Sequence, residues 1–244
     1  QYRPPLAEGL FEQTRFFRDI ADKYSHCQPL IPELAPRSGK IVSIEEQLHE
    51  IQQTADDIAH SQIMAVRYYL KDLIQNCQIQ WLEHVTRVTN YRALLNQIRR
   101  SSPVCFVTFN YDTMLETALA DVGVGAQGIE DYIRGQFPVF KLHGSIDWEC
   151  QVQYEIPPNP DPFAKLPKHN PILSAHCLRE LNIFRKQREE KDSIWEKDGK
   201  IVPTGWIPAL AIPVASKSHF FCPVQHVNAL TQKIAQVDKI LIVG

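Results

Sequence analysis

The chain has 244 residues, with 26 lysines and arginines against 28 aspartates and glutamates, so its formal net charge is −2 at pH 7. Hydrophobic residues make up 44% of it, which is enough for a large core and excludes a mainly disordered chain. The charge balance excludes binding of nucleic acid by bulk electrostatics, and the apolar runs are too short for a membrane span. We therefore expect a soluble globular protein.

The six cysteines are dispersed along the chain, and no two of them form a C-x-x-C pair. A secreted disulfide scaffold carries its cysteines at higher density, so this pattern predicts reduced thiols and a cytoplasmic protein. The N-terminal segment lacks the apolar stretch of a signal peptide, and it has no initiator methionine. We expect these residues to be part of a longer chain.

The first 100 residues have mainly helical patterns. Residues 6–24 predict a helix that starts after the Pro4-Pro5 doublet, and a proline-rich connector follows. Residues 43–100 predict further helices, because apolar side chains recur there at spacings of three and four. Ser43-Ile-Glu-Glu46 has the pattern of a capping box. The apolar stripe favours core packing, and a coiled coil or a docking helix is the alternative.

The remaining residues alternate between short apolar runs and helical patterns. The runs are residues 104–109, 138–142, 207–212 and 239–243, and the helical patterns are residues 113–120 and 223–236. Short continuous apolar runs are typical of strands buried on both faces, and alternation with helices favours a parallel sheet. The sequence thus predicts an α/β fold, a doubly wound parallel sheet of Rossmann-like type with a helical insertion.

Polar residues directly follow two of the predicted strands. Asn110 and Asp112 follow the first run, and His143 follows the second. Ligands of open parallel sheets bind at the carboxyl ends of the strands, so we expect these three side chains to share one edge. Histidine can transfer a proton near neutral pH, and an asparagine amide both donates and accepts hydrogen bonds. The alternative is structural: Asn110 and Asp112 could cap the next helix, and His143 could be a buried structural histidine.

The same residues carry a resemblance to a known family. Thr108-Phe-Asn-Tyr-Asp112 together with Lys141-Leu-His-Gly-Ser145 resembles the paired nucleotide-site motifs of the sirtuin superfamily. The match is closer to bacterial sirtuin-like domains, many of which consume NAD in antiphage defence, than to protein deacetylases. Residues 3–11, 208–213 and 222–226 also resemble segments of that family.

The resemblance implies a role for each matched residue. Asn110 would position the ribose or the attacking water, Asp112 would bind the nicotinamide carboxamide, and His143 would be the general base. In the same way, NAD would also contact Thr108, Gly144, Ser145 and Gly244. The implied domains are a Rossmann-type NAD-binding domain, residues 1–43 and 101–244, incomplete at both ends, and a helical insertion, residues 44–100, packed on it.

Two departures from the family pattern affect the expected activity. The family's glycine-rich phosphate loop would precede Arg3, outside this sequence. The deacetylases carry two C-x-x-C pairs for structural zinc after the His-Gly motif, and this chain has none there. We therefore expect no metal and no required cofactor, with NAD as a substrate.

Two other patterns are interpreted as structural. Residues 123–128 match G-x-G-x-x-G, but a predicted helix rather than a strand precedes them. Gly123 is better explained as a left-handed residue that ends this helix. His219, Cys222 and His226 could be drawn as metal ligands, yet no fourth ligand lies nearby in the sequence.

The expected function is hydrolysis of NAD to nicotinamide and ADP-ribose. The alternatives are a non-catalytic module that senses NAD or an ADP-ribose derivative, a protein deacylase, and a purely structural helical protein. As partners we expect NAD and either a second copy of the chain, an attached sensor or effector domain, or another protein.

Overall fold

The computed structural model describes residues 9–12, 14–35, 43–54, 57–84, 89–98, 103–154, 177–185, 195–197, 200–202, 204–214 and 221–242. Helices and strands are both present, as expected for an α/β chain. The helices are α1 (Arg15–Ala21), α2 (Ile31–Leu34), α3 (Ile44–Gln53), α4 (Asp57–His84), α5 (Asn90–Ile98), α6 (Met114–Asp121), α7 (Asp131–Arg134) and α8 (Val224–Ile234). The strands are β1 (Phe106–Thr108), β2 (Val139–Lys141), β3 (Gly144–Tyr154), β4 (Cys177–Arg185), β5 (Trp195–Lys197), β6 (Lys200–Val202) and β7 (Thr204–Leu210).

The longest helix, α4, forms one side of the main hydrophobic core. Its buried residues recur at spacings of three and four, as predicted from the sequence, and they include Val66, Leu70, Leu73 and Cys77. This stripe belongs to the same buried cluster as Trp148 of β3. Core packing is therefore confirmed as a role of the stripe.

The predicted helices differ from the observed ones mainly at their ends. The capping box at Ser43 is confirmed, and so are the helices predicted over residues 113–120 and 223–236. The helix predicted over residues 6–24 is shorter, since residues 9–12 form a turn and α1 begins only after Thr14. The Thr14 side chain accepts a hydrogen bond from the Phe17 N–H and so sets this start.

The strands of the described ranges form three small sheets. β1 and β2 are parallel neighbours, with Thr108 opposite Lys141, as predicted for the first two apolar runs. β3 lies between β4 and β7 in an antiparallel sheet, and β5 pairs antiparallel with β6.

The prediction that all four apolar runs join one parallel sheet was wrong for residues 207–212. β7 pairs antiparallel with β3 in a sheet that contains neither β1 nor β2, and the missing Cβ atom of Gly144 lets the start of β3 approach the Ala209 carbonyl. In β3, Ile146, Trp148, Cys150 and Val152 are buried with a period of two, the pattern of a strand with one face on the core. Residues 239–242 of the fourth run are exposed and are not part of any assigned strand.

Candidate functional site

The segments that carry Asn110 and His143 lie side by side. Their strands are parallel neighbours, so both segments leave the sheet at the same edge. The Leu142 N–H donates to the Thr108 carbonyl at 3.2 Å, and the Ile146 N–H donates to the Tyr111 carbonyl at 2.9 Å. These bonds continue the pairing of the two segments beyond the strand ends. We call residues 108–112 and 142–145 the candidate site.

The side chain of Asn110 is exposed at this edge. Its backbone N–H donates to the Thr108 hydroxyl at 3.1 Å, so Thr108 shapes the turn on which Asn110 lies. Its amide nitrogen is 3.5 Å from the Tyr91 hydroxyl of α5, a contact at the limit of a hydrogen bond. Asn110 therefore presents an amide to solvent beside a phenol from the helical part of the chain.

The imidazole of His143 is half-buried against aromatic rings. Its centroid lies 4.8 Å from that of the Phe109 ring and 6.2 Å from that of the Tyr111 ring. Because Phe109 and Tyr111 flank Asn110 in the sequence, the imidazole is held against the segment that carries Asn110. The main-chain carbonyl of His143 accepts a hydrogen bond from the Ala211 N–H at 2.8 Å, which fixes the turn on β7.

Asp112 has a structural role in addition to its place at this edge. Its Oδ1 atom accepts a hydrogen bond from the Met114 N–H, at 3.0 Å, at the first residue of α6. The capping role considered from the sequence is thus confirmed for Asp112. The other carboxylate oxygen, Oδ2, has no hydrogen-bond partner among the described residues, so it can accept a bond from a ligand.

Gly144 and Ser145 pack closely against neighbouring segments, Gly144 against β7 and Ser145 against Tyr111. Gly144 has a φ of +81°, and a Cβ atom there would lie 2.0 Å from the Ala209 carbonyl oxygen. Ser145 is fully buried; its hydroxyl donates to the Asp147 carboxylate at 2.6 Å and lies 3.3 Å from the Tyr111 carbonyl. Gly144 and Ser145 therefore set the shape of the turn that carries His143. Gly244, expected to contact NAD, lies outside the described residues.

Two polar residues beneath the candidate site were missed in the sequence. Lys141 is 1% exposed and forms an ion pair with Glu116 of α6 at 2.8 Å, and its ammonium group also donates to the Asp112 carbonyl. Gln78 of α4 is 8% exposed and bonds to Thr113. In the sequence, each of them is a single polar residue among apolar neighbours. Because buried polar groups are usually paired, this pattern could have indicated that each has a buried polar partner.

The phenols of Tyr91 and Tyr111 and the thiol of Cys222 stay protonated near neutral pH. Burial raises the pKa of Tyr111 to about 12, and burial followed by the charge of Asp112 raises the pKa of Tyr91. Burial also raises the pKa of the Cys222 thiol to about 11, so Cys222 is a poor nucleophile. The candidate site also carries the imidazole of His143 and the carboxylate of Asp112.

The described part of the chain shows no candidate metal centre. No group of three histidine, cysteine, aspartate or glutamate side chains in it could hold an ion. His226, considered as a ligand from the sequence, is buried, and its Nε2 donates to the Ile129 carbonyl at 3.0 Å. Its ring packs edge-on against Trp148, so its role is structural. Gly123 ends α6 with a φ of +81°, which confirms the left-handed conformation expected there.

Comparisons of this chain with protein-family models, curated proteins and solved structures found no match. Within the described ranges, none of the helices is long and apolar enough to cross a membrane.

Proposed function

We propose that this chain hydrolyses the bond between nicotinamide and ribose in NAD. The observation that carries the proposal is the pairing of the two segments after β1 and β2, which holds the imidazole of His143 against the segment of Asn110. These segments contain the motifs that resemble those of bacterial sirtuin-like domains. The carboxyl edge of a parallel strand pair is also where α/β proteins bind nucleotides.

The proposed reaction is attack of water on the anomeric carbon of the nicotinamide ribose. The bond to nicotinamide breaks through an oxocarbenium-like state, the pyridinium nitrogen keeps the bonding electrons, and a proton from water is released. His143 accepts this proton, and the Asn110 amide orients the water or the ribose hydroxyls. Asp112 Oδ2 accepts from the carboxamide N–H of nicotinamide. The products are nicotinamide and ADP-ribose.

We also propose that β1 and β2 belong to a doubly wound, Rossmann-like sheet. The support is their parallel pairing and the helix α6 that follows β1. The apolar residues 240–242, which are 74–88% exposed, have the composition of a further buried strand. In this proposal α4 and α5 pack on the nucleotide-binding part as an insertion.

The proposal predicts that nicotinamide release depends on the side chains of both His143 and Asn110. The purified chain is incubated with NAD, and nicotinamide and ADP-ribose are quantified by chromatography. His143→Ala is expected to lower the rate by ~10²-fold or more, the typical contribution of a positioned acid–base group. Asn110→Ala is expected to lower it by a similar factor, because the attacking water loses its orientation. The control for His143→Ala is His84→Ala, and the control for Asn110→Ala is Asn96→Ala. Both control positions are exposed, and both variants are expected to keep the wild-type rate.

Each outcome of this experiment distinguishes between the function classes. Full turnover by either His143→Ala or Asn110→Ala contradicts the proposed roles. Binding of NAD without release of nicotinamide supports the sensing module instead, and turnover only with an acylated peptide supports a deacylase. A melting temperature that does not change when NAD or ADP-ribose is added supports the alternative that the chain is a purely structural protein.

A further inference from the structure

One turn of the chain, Asp112-Thr113, is held from two sides by buried polar side chains. It connects the candidate site to α6, and Thr113 is the N-cap residue of that helix. The Thr113 side chain makes no capping bond of its own. The groups that hold the turn come from α4 and from β2, elements that are distant from it in the sequence.

Gln78 of α4 holds Thr113 by two hydrogen bonds. Its side-chain carbonyl accepts from the Thr113 N–H at 2.8 Å, and its amide donates to the Thr113 hydroxyl at 2.7 Å. Gln78 is 8% exposed, and Cys77 and Ile74 beside it on α4 are buried hydrophobic residues. A buried amide is costly unless both of its groups are paired, and here Thr113 pairs both.

Lys141 of β2 holds the preceding residue. Its ammonium group donates to the Asp112 carbonyl and forms the 2.8 Å ion pair with Glu116. The Glu116 carboxylate also accepts from the Tyr132 hydroxyl at 3.3 Å. Buried ion pairs add little net stability relative to apolar residues, because removing both charges from water is costly. The presence of this buried pair is therefore better explained by its orientation of the Asp112 backbone than by a gain in stability.

We infer that Gln78 and Lys141 are positioning residues for the candidate site. This inference rests on the proposed function. Their bonds to consecutive residues fix the chain direction between Asn110 and α6, so that the Asn110 amide and the Asp112 carboxylate face the same edge as His143. The helical segment 44–100 thereby contributes to the reaction through Gln78.

Gln78→Met tests the inference, because methionine has a similar length and removes both hydrogen bonds. Hydrogen exchange of segment 109–114 is measured without ligand, and kcat and KM are measured for nicotinamide release. We expect ~10-fold faster exchange of this segment, as for the loss of a buried hydrogen bond. We expect kcat to fall by ~10- to 100-fold, the size of effect that small misplacements of reacting groups produce, with a smaller change in KM.

The matched control is Gln75→Met, an exposed position on the same helix, which is expected to behave as the wild type. Lys141→Met alone leaves Glu116 as an unpaired buried charge, so it can fail to fold. The double variant Lys141→Met with Glu116→Gln removes both charges and keeps an acceptor for Tyr132. It is expected to show the same faster exchange and the same loss of kcat.

The results separate failure of this inference from failure of the proposed function. An active wild type together with wild-type exchange and kcat in Gln78→Met overturns the inference and leaves the proposed function intact. A wild type that releases no nicotinamide overturns the proposed function, and the positioning role fails with it. Faster exchange with unchanged kcat shows a purely structural clamp and also overturns the inference.

Discussion

At the scale of single residues, side chains of the candidate site also make hydrogen bonds that stabilise the fold. Asp112 uses one carboxylate oxygen to cap α6, and the other has no hydrogen-bond partner among the described residues. Thr108 accepts a bond from the Asn110 backbone and so holds the turn that exposes the Asn110 amide. Substitutions here therefore affect stability and activity together, and activity has to be judged against the melting temperature.

Gly144 gives a prediction at this scale, because it combines a positive φ with close packing. Gly144→Ala is expected to destabilise the protein by ~2–5 kcal/mol, from backbone strain plus overlap with the Ala209 carbonyl. Gly123 has the same φ but no atom within 4 Å of an added Cβ. Gly123→Ala is therefore expected to cost only ~1 kcal/mol. Urea denaturation measures both, and equal losses would contradict the role of close packing at Gly144.

At the scale of elements, helix ends and buried hydroxyls fix the positions of the helices. Tyr69 of α4 donates to the Leu10 carbonyl at 2.6 Å, and Tyr68 donates to the Trp206 carbonyl at 2.6 Å. Consecutive residues of α4 thus hold the turn before α1 and strand β7. Because this helix also supplies Gln78, its position relative to the sheet determines the position of the turn before α6.

The start of α3 gives a prediction at this scale. The Ser43 hydroxyl accepts from the Glu46 N–H at 3.1 Å, and the Glu46 carboxylate accepts from the Ser43 N–H at 3.0 Å. Ser43→Ala is expected to lower the free energy of unfolding by ~1 kcal/mol, since one N–H of the first turn loses its acceptor. Ser43→Thr keeps the hydroxyl and should stay close to the wild type. Equal stability of Ser43→Ala and the wild type in urea denaturation would exclude a contribution of the cap.

At the scale of the whole molecule, a buried aromatic cluster joins elements from distant parts of the sequence. Trp148 of β3 packs edge-on against Tyr132 of α7 and against His226 of α8. His226 also donates to the Ile129 carbonyl before α7. Protonation of His226 would place a charge inside this cluster, so the packing of α8 depends on a neutral imidazole.

His226 makes the stability of the whole molecule depend on pH. Burial lowers the pKa of His226 from its ordinary value of 6.5, and the bond to Ile129 and the charge of Glu130 oppose this in part. Between the lowered pKa of the folded state and 6.5, the unfolded chain therefore binds more protons at His226 than the folded chain does. The stability from the neutral imidazole is fully present above pH 6.5 and is lost as the pH falls from 6.5 towards the folded-state pKa, by up to ~1.4 kcal/mol for each pH unit in that window.

Urea denaturation at pH 7 and at pH 5 measures this effect. His226→Gln keeps a donor for the Ile129 carbonyl but cannot be protonated, so we expect a smaller loss of stability between the two pH values. The exposed His84→Gln serves as the control and should keep the wild-type pH dependence. The same dependence in His226→Gln and the wild type would rule out His226 as the source.

Local patterns were sufficient to predict several parts of this fold. The capping box, α6, α8, the left-handed Gly123 and the parallel strands β1 and β2 depend on short-range spacing, and the structure confirms them. The common edge of Asn110 and His143 followed from a general rule for parallel strands. Gln78 and Lys141 could not be predicted, because their partners are 35 and 29 residues away in the sequence.

The sequence by itself determined most of the helices and the strands β1 and β2, because spacing of apolar side chains and helix caps act within a few residues. Only the tertiary structure decided how the strands after β2 pair and in which direction, since β3 and β7 join residues that are far apart in the sequence. β3 and β7 pair antiparallel, and the missing Cβ atom of Gly144 allows the close approach to the Ala209 backbone where this pairing begins. The tertiary structure also decided that α4 and β2 hold the turn before α6, since buried polar groups take their partners from whichever elements pack against them.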